Sequence, residues 1–452
     1  MDALRYNVSM VMLITLTEKP LIRSWLYADE GELILKLSQH YKLYIICRRE
    51  DFVNITEFIA AKNLDEHGME VIKLTEFKES LFHKVFAFLL RWSNTSTAIL
   101  RKRHIQYEQD KINILGLMLR HILGKLFGRL GIIIRIFRGF YVRIPNSTYK
   151  SLLTRIDCKV LICTSLTNFY DIEILKEANK LKIETYGTPR SWDNLTSHGS
   201  LRVLPKTFLA HSEFMIKKAK ENQFIKQSRI LPTGTSTYRA KFFPIKLNND
   251  SARNFSLAIG CTGPHINPSE YDFIIEFTNQ MKQVCPDVDI TIVQHPKFLH
   301  QNLPKSDTFS EIYFDFSTYD SLKNYYNFLS NFNLVLTNGS TIGLDALFVG
   351  TYVECFFIDL KDIGFWKTSA RYNSHMPHYQ EFISNLNIKT HYDIRSIIDS
   401  VNKLKKIKSI PVKSPSFFTG VPDFNFEDTI INEMITRKSK IIEATSSMHK
   451  YT

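Results

Sequence analysis

The feature that most restricts this chain is an alternation of strand-like and helix-like segments that runs, stops and starts again. The first series opens with the apolar run Val8–Leu16, then helix 21–39, strand Lys42–Cys47, helix Val53–Lys62 and strand Glu70–Leu74. It resumes with strand Lys159–Cys163, helix Tyr170–Lys180, strand Ile183–Tyr186, strand Phe208–Ala210, helix Glu213–Asn222 and strand Ser228–Leu231. The polar stretch Tyr238–Asn254 reads as a linker. A new first strand follows at Phe255–Gly260, with helix Ser269–Val284, strand Asp289–Gln294 and helix Tyr319–Phe332 after it. Strands at Leu334–Leu336 and Tyr352–Ile358, helix Ile394–Lys405 and a last helix over about Phe426–Ala444 close the series. Such alternation implies parallel sheets with right-handed crossovers. It predicts an α/β fold of two domains, 1–237 and 255–425, joined by 238–254 and followed by a C-terminal helix and tail, 426–452. With 452 residues in all, each domain has an ordinary size and can bury a core.

Parallel α/β sheets bind ligands at the carboxyl ends of their strands. The most informative such end is in the second domain. There the strand Leu334–Leu336 enters the polar turn Thr337, Asn338, Gly339, Ser340, Thr341, and a short helix carries Asp345 and Ala346 up to Gly350. The turn offers backbone N–H groups and hydroxyls at a helix N-terminus, which suits a phosphate. Asp345 stands one turn into the helix, where a carboxylate can reach a ribose hydroxyl. The same residues would also serve as a plain N-cap and a plain C′ glycine.

The pattern of strand, small hydroxyl residues, acid-Ala and Gly resembles the C-terminal domain of GT-B fold glycosyltransferases and of CDP-polyol phosphotransferases. The resemblance implies two Rossmann-like domains with a cleft between them. It implies that Gly339, Ser340 and Thr341 face a donor diphosphate and Asp345 the ribose. Glu is usual where Asp345 stands. No acid stands near Thr337, which argues against the paired-glutamate retaining mechanism.

Other loops are expected to face the same cleft. Gly260–Pro264 (GCTGP) ends the first strand of the second domain, and its Gly260, Thr262 and Gly263 permit close approach to a phosphate. His295 and Pro296 follow strand Asp289–Gln294, and a histidine there can donate to a leaving phosphate as charge develops on it. His-Pro with a Ser-Thr turn 45 residues later is similar to the pairing in GT-B sialyltransferases, Kdo transferases and CDP-glycerol transferases. That similarity tilts the donor toward CMP or CDP. In the first domain, the loop Gly187–Gly199 (GTPRSWDNLTSHG) is dense in polar groups around one aromatic. An inverting transferase needs a general base on the acceptor side, and Asp193 is the first candidate, His198 the second. Arg190, Trp192 and Asn194 are candidates for acceptor binding, with Trp192 as a flat face for a sugar ring. The loop resembles WDN-type loops of surface-polysaccharide transferases. On the alternative reading, Asp193 and Asn194 merely cap turns and Trp192 is core.

Charge is uneven. The stretch Lys111–Ile156 holds nine Lys or Arg and no Asp or Glu, so it supplies most of the net +13. The cations Lys111, Arg120, Lys125, Arg129, Arg135, Arg138, Arg143, Lys150 and Arg155 alternate with large apolar residues. The pattern predicts a basic amphipathic helical insert, of the kind that lies in an anionic membrane surface. A solvated helix packed on its own domain, or a nucleic-acid surface, would read similarly, but the aromatic-basic interleaving of a nucleic-acid groove is absent. No run of 18 apolar residues is present, so no spanning helix is expected. The N-terminus lacks the form of a secretory signal. Six cysteines without a CxxC pair read as buried thiols of a cytosolic protein rather than a zinc site.

These expectations converge on a metal-independent, inverting glycosyltransferase at the cytoplasmic face of a membrane, without a bound cofactor. It would move a sugar from a CMP- or NDP-sugar to a glycan or lipid-linked acceptor in surface polysaccharide synthesis. The open alternatives are a teichoic-acid type CDP-polyol phosphotransferase and a nucleotide-sugar epimerase or non-catalytic binding protein.

Overall fold

The structure is a computed structural model and describes residues 10–94, 96–108, 111–128, 130–237, 254–262, 267, 269–295, 306–316, 318–360, 369–407, 410–412 and 426–448. Nearly all of the expected linker lies outside them, as do Gly263 and Pro296.

The first lobe is built on a seven-stranded sheet in the order β3-β2-β1-β4-β5-β6-β7. Its strands are β1 (Val11–Leu16), β2 (Lys42–Cys47), β3 (Glu70–Lys73), β4 (Cys158–Cys163), β5 (Glu184–Gly187), β6 (Thr207–Ala210) and β7 (Ile230–Pro232). The second lobe has six strands in the order β10-β9-β8-β11-β12-β13. They are β8 (Ser256–Gly260), β9 (Asp289–Val293), β10 (Ser310–Ile312), β11 (Leu334–Thr337), β12 (Tyr352–Phe356) and β13 (Thr390–His391). Every pairing is parallel. Central strands are buried on both faces, which is why they read as unbroken apolar runs (VMLITL, KLYIIC, CKVLIC). The fold therefore has the two parallel-sheet lobes that the alternation predicts.

The helices of the first lobe are α1 (Lys19–Ile22), α2 (Glu32–Ser38), α3 (Phe52–Ala61), α4 (Leu81–Trp92), α5 (Thr97–Glu108), α6 (Ile114–Phe127), α7 (Gly131–Arg143), α8 (Ser147–Arg155), α9 (Phe169–Lys180), α10 (Asn194–Ser197) and α11 (Glu213–Gln223). Those of the second lobe are α12 (Glu270–Val284), α13 (Tyr319–Ser330), α14 (Thr341–Phe348), α15 (Ala370–Asn373), α16 (Pro377–Leu386) and α17 (Ile394–Leu404), with α18 (Phe426–Met448) last. Helix α18 returns to the first lobe. The Tyr41 hydroxyl donates to the Met434 carbonyl at 2.6 Å, Arg437 pairs with Glu184 at 3.0 Å, and the Phe426 ring meets Trp25 edge-on.

Helices α4, α5, α15 and α16 and strands β10 and β13 are absent from the sequence reading, and two segments that it does contain differ in form. Helix 21–39 is not continuous: α1 passes into a π-helical turn, Arg23–Tyr27, and the chain then reverses through left-handed Glu30 and Gly31. The cause is local, because the Asp29 carboxylate accepts from the Leu33 and Gly31 amides and starts α2 afresh. The basic stretch is three helices, α6, α7 and α8, rather than one amphipathic unit. Pro145 lacks the amide a continuous helix would need between α7 and α8. Two of its cations turn inward. Arg138 donates to the carbonyls of Leu201 and Gln223, and Arg120 lies over the Trp92 ring. Among the described residues, no helix is long and apolar enough to cross a membrane. All six cysteines are buried and unpaired.

Candidate functional site

In both sheets the strand order reverses beside the first strand: β1 has β2 on one side and β4 on the other, and β8 has β9 and β11. Loops leaving such neighbours diverge, so a crevice opens at the carboxyl edge. Contacts cross the lobe boundary beside both: Arg23, shortly after β1, stands 3.6 Å from Asp345 of α14, and Lys19 stands 3.6 Å from Asp315, just after β10.

In the second lobe, the β11–α14 loop is held by its own hydroxyls. The Ser340 and Thr337 hydroxyls are 2.8 Å apart, and the Ser340 amide donates to Thr337 Oγ1. Ser340 occupies the N-cap position of α14, and its side chain makes no capping hydrogen bond there. The first turn of α14 and exposed Thr341 thus stay open to an anion. Gly339 has φ of +80°, and a Cβ there would lie 2.8 Å from the Tyr379 ring, so both backbone and space demand glycine. Gly260 is needed for packing: a Cβ on it would lie 2.5 Å from a methyl of Ile342 at the start of α14. Behind the loop, buried Glu270 accepts from the amide and hydroxyl of Thr262 and from the Asn338 amide group. His295 is half-buried at the end of β9.

Asp345 is enclosed rather than presented to the cleft. Its carboxylate accepts from Tyr325 at 2.9 Å and Tyr326 at 3.4 Å, and Arg23 of the first lobe stands 3.6 Å away. The expected contact with a ribose is therefore taken by two phenols and a guanidinium. The sequence reading placed Asp345 on the right helix but could not see that α13 supplies aromatic hydroxyls to the same face.

In the first lobe, Asp193 is half-buried before α10. It accepts from Ser197 Oγ at 2.7 Å and from the Asn194 amide group at 3.3 Å. Burial would raise its pKa, but His378, His198 and the serine hydrogen bonds outweigh that and hold it below the usual value. His198 keeps an exposed edge in a crowded site. Enclosure first, then Lys102, push its pKa down to about 3 against the pull of Asp193, so it is neutral at pH 7. Thr196 Oγ1 lies 3.0 Å from His378 Nδ1 of the second lobe, and Tyr379, next to His378, covers Gly339. One short path thus joins the Asp193 loop to the Ser340 loop. Burial pushes His378 down to about 4.

Trp192 offers no free face. Its ring is buried, with Phe214, His378 and Phe382 at 5.5–6.3 Å between centroids. Asn194 is buried too, and its Oδ1 accepts from the Ser191 amide. Both are corrected to interlobe and turn contacts, because α16 packs where the sequence reading left a sugar. Arg190 is bound to Glu18 at 2.7 Å.

That pair opens a cluster that the sequence reading missed. Glu18 also accepts from Ser165 Oγ at 3.0 Å, joining the ends of β1, β4 and β5. Beneath it, Asp171 accepts from the hydroxyls of Thr15 and Thr17 and from the Ser165 amide. Complete burial raises Asp171 to about 7 despite those donors. Glu18 is the accessible carboxylate, and Asp171 positions the loops around it. The signal was the Thr-Glu pair directly after the first strand, at a strand end next to the reversal.

No family model matches the chain, and no curated protein matches it. Solved structures do. S. aureus MnaA with UDP has a TM-score of 0.53 at 9% identity, with 94% of this chain and 96% of that one covered. The Methanocaldococcus jannaschii UDP-GlcNAc 2-epimerase, in complex with UDP-GlcNAc and UDP, has a TM-score of 0.51 at 14% identity, with 94% and 100% covered. The Neisseria meningitidis UDP-GlcNAc 2-epimerase bound to UDP-GlcNAc gives 0.51 at 12%, with 94% and 100% covered. At such identities the likeness establishes the fold, a two-lobed GT-B architecture.

Proposed function

We propose that the protein is a glycosyltransferase that moves a sugar from a nucleotide-activated donor to a glycan or lipid-linked acceptor at a membrane surface, in surface polysaccharide synthesis. The observation that carries this reading is the outer face of the first lobe. Leu115, Met118, Ile122 and Leu126 of α6, with Ile132, Ile136 and Phe140 of α7, are all exposed. Lys125, Arg135 and Arg143 are exposed beside them. Apolar side chains at this density, with cations at headgroup level, suit an anionic bilayer. A reaction confined to a soluble nucleotide sugar has no use for that face, whereas a membrane-borne acceptor does.

On this reading Ser340, Thr341 and the open first turn of α14 bind the donor diphosphate, and His295 donates to the leaving phosphate. Asp193 takes the acceptor proton, with His198 as a neutral neighbour. The helix terminus supplies the positive potential, so the reaction is metal-independent; one base on the acceptor side and no acid near Thr337 make it inverting, and the enzyme works on the cytoplasmic face. A thermal-shift panel with CMP, CDP, UDP, GDP and dTDP tests it. A nucleotide at about a hundred times its Kd stabilises by roughly 2.7 kcal/mol, so one selective shift is expected. No shift with any of them overturns the reading.

A second reading, nucleotide-sugar 2-epimerase, is favoured by Glu18, which together with Asp193 gives the cleft more acids than a single base requires. Inversion at a carbon bearing hydrogen breaks a C–H bond. Incubation with UDP-GlcNAc in deuterated water would therefore place deuterium on the sugar ring under the second reading, and none under the first.

A further inference from the structure

We infer that a groove on the first lobe, walled by Phe77, Phe169 and Tyr170 and rimmed by Lys78 and Lys84, takes the phosphate-bearing end of a lipid-linked acceptor. The inference rests on the transferase reading and names its acceptor class. The groove is shallow and open to solvent, with a volume of about 430 Å³. Phe77 and Phe169 stack with centroids 5.9 Å apart, forming one continuous apolar wall. The buried His83 ring meets both edge-on and braces the two rings. His83 cannot drift, because it caps α4 together with Ser80 and lies 3.2 Å from both Lys176 and Glu173, all three fully buried.

Charge selects the occupant. Glu79 at the rim faces Arg202 at 3.5 Å. Lys78 and Lys84 are exposed and have no carboxylate partner among the described residues. The groove therefore presents uncompensated positive charge beside aromatic walls, which matches a phosphate attached to an apolar chain.

Position gives the same answer. Outward, Leu81, Phe82 and Val85 of α4 are 73%, 66% and 43% exposed, and α4 packs on α6 and α7, so the apolar outer face runs to the rim. Inward, Tyr170 lies beneath the Arg48 guanidinium and directly precedes Asp171. The turn that starts α9 carries Ser165, the partner of Glu18. A chain embedded in the outer face would place its phosphate between the lysines and its sugar toward the cleft.

The test uses the full-length protein with decyl phosphate, decanol and inorganic phosphate as probes, read by calorimetry. Decyl phosphate is expected to bind at least tenfold more tightly than either of the others. The K78A/K84A double variant should weaken it at least tenfold. The nucleotide-induced thermal shift should persist in that variant. Decyl phosphate binding within twofold of wild type in K78A/K84A overturns the site, as does equal binding of decanol, an apolar site only, or of inorganic phosphate, an anion site only. Lysine-dependent binding in a protein that no nucleotide stabilises would keep the groove and sink the transferase reading instead.

Discussion

The two carboxyl edges use the same topology for different ends. Around the β11–α14 loop of the second lobe, the acids are turned inward: Glu270 ties the Thr262 and Asn338 loops together, and Asp345 is closed off by Tyr325 and Tyr326. What that loop leaves on the surface is hydroxyl and amide, a set that can bind an anion; the exposed carboxylates Glu311 and Asp315 lie on and after the edge strand β10, where Asp315 pairs with Lys19. At the edge of the first lobe, Glu18 and Asp193 stay within reach of the cleft, and Arg190 and His198 stand beside them. Proton transfer needs carboxylates and imidazoles, so one lobe is equipped to hold and the other to react.

The largest effect that could break this contrast is in the reacting lobe. Asp193→Asn keeps the shape and removes the proposed base, so a fall in kcat of about 10²–10⁴-fold is expected, with nucleotide binding by thermal shift unchanged. Activity within a few-fold of wild type would transfer the role to Glu18. The next concerns Asp171. Its native pKa of about 7 lies above its ordinary value, so the native state holds the proton more tightly than the unfolded chain. That contribution to stability is complete below pH 3.8 and is lost as pH rises through about 7. The shift corresponds to a loss on the order of 4 kcal/mol. Asp171→Asn should flatten the stability–pH curve between those limits, measured by denaturant unfolding; an unaltered slope would assign the pH dependence to other groups.

What could be read from the chain follows from the range of the forces involved. The two sheets were legible because buried parallel strands are continuous apolar runs, and no other arrangement of such runs with intervening helices is common. The Gly339–Thr341 turn was legible because its chemistry lies in consecutive residues. Glu18 and Asp171 were not joined on the page because 153 positions separate them, and only the pairing of β1 with β4 brings them together. Trp192 was misread for a related reason: an aromatic in a polar loop looks solvent-facing until α16, nearly two hundred residues later, is packed against it. Asp345 fails the same way, since its phenolic partners come from α13. Local signals gave the elements and the loops; long-range contacts decided which side chains the cleft exposes.

The holding lobe has its own weak point at Gly339. Alanine there must keep φ near +80° and place its Cβ against Tyr379. Strain of this kind costs about 1–3 kcal/mol. Moving Tyr379 also disturbs its neighbour His378 and thereby Thr196 across the boundary. Gly339→Ala should therefore lower stability and weaken nucleotide binding together. A variant with weakened binding and full stability would show that the loop can deform without reaching the interface, and the path between the two edges would be severed.

The smallest effect on the fold is expected outside the cleft. Leu115 and Met118 are 70% and 55% exposed on α6. Leu115→Glu with Met118→Glu removes no core contact, so stability should stay within about 0.5 kcal/mol for each change. Binding to vesicles of mixed neutral and anionic lipid should fall by at least tenfold, and what remains should weaken further with added salt, because Lys125, Arg135 and Arg143 stay exposed. Undiminished vesicle binding would mean that the apolar side chains do not enter the bilayer. The face would then serve a protein partner, and the reacting lobe would meet its acceptor in water, with no membrane to set the direction of approach.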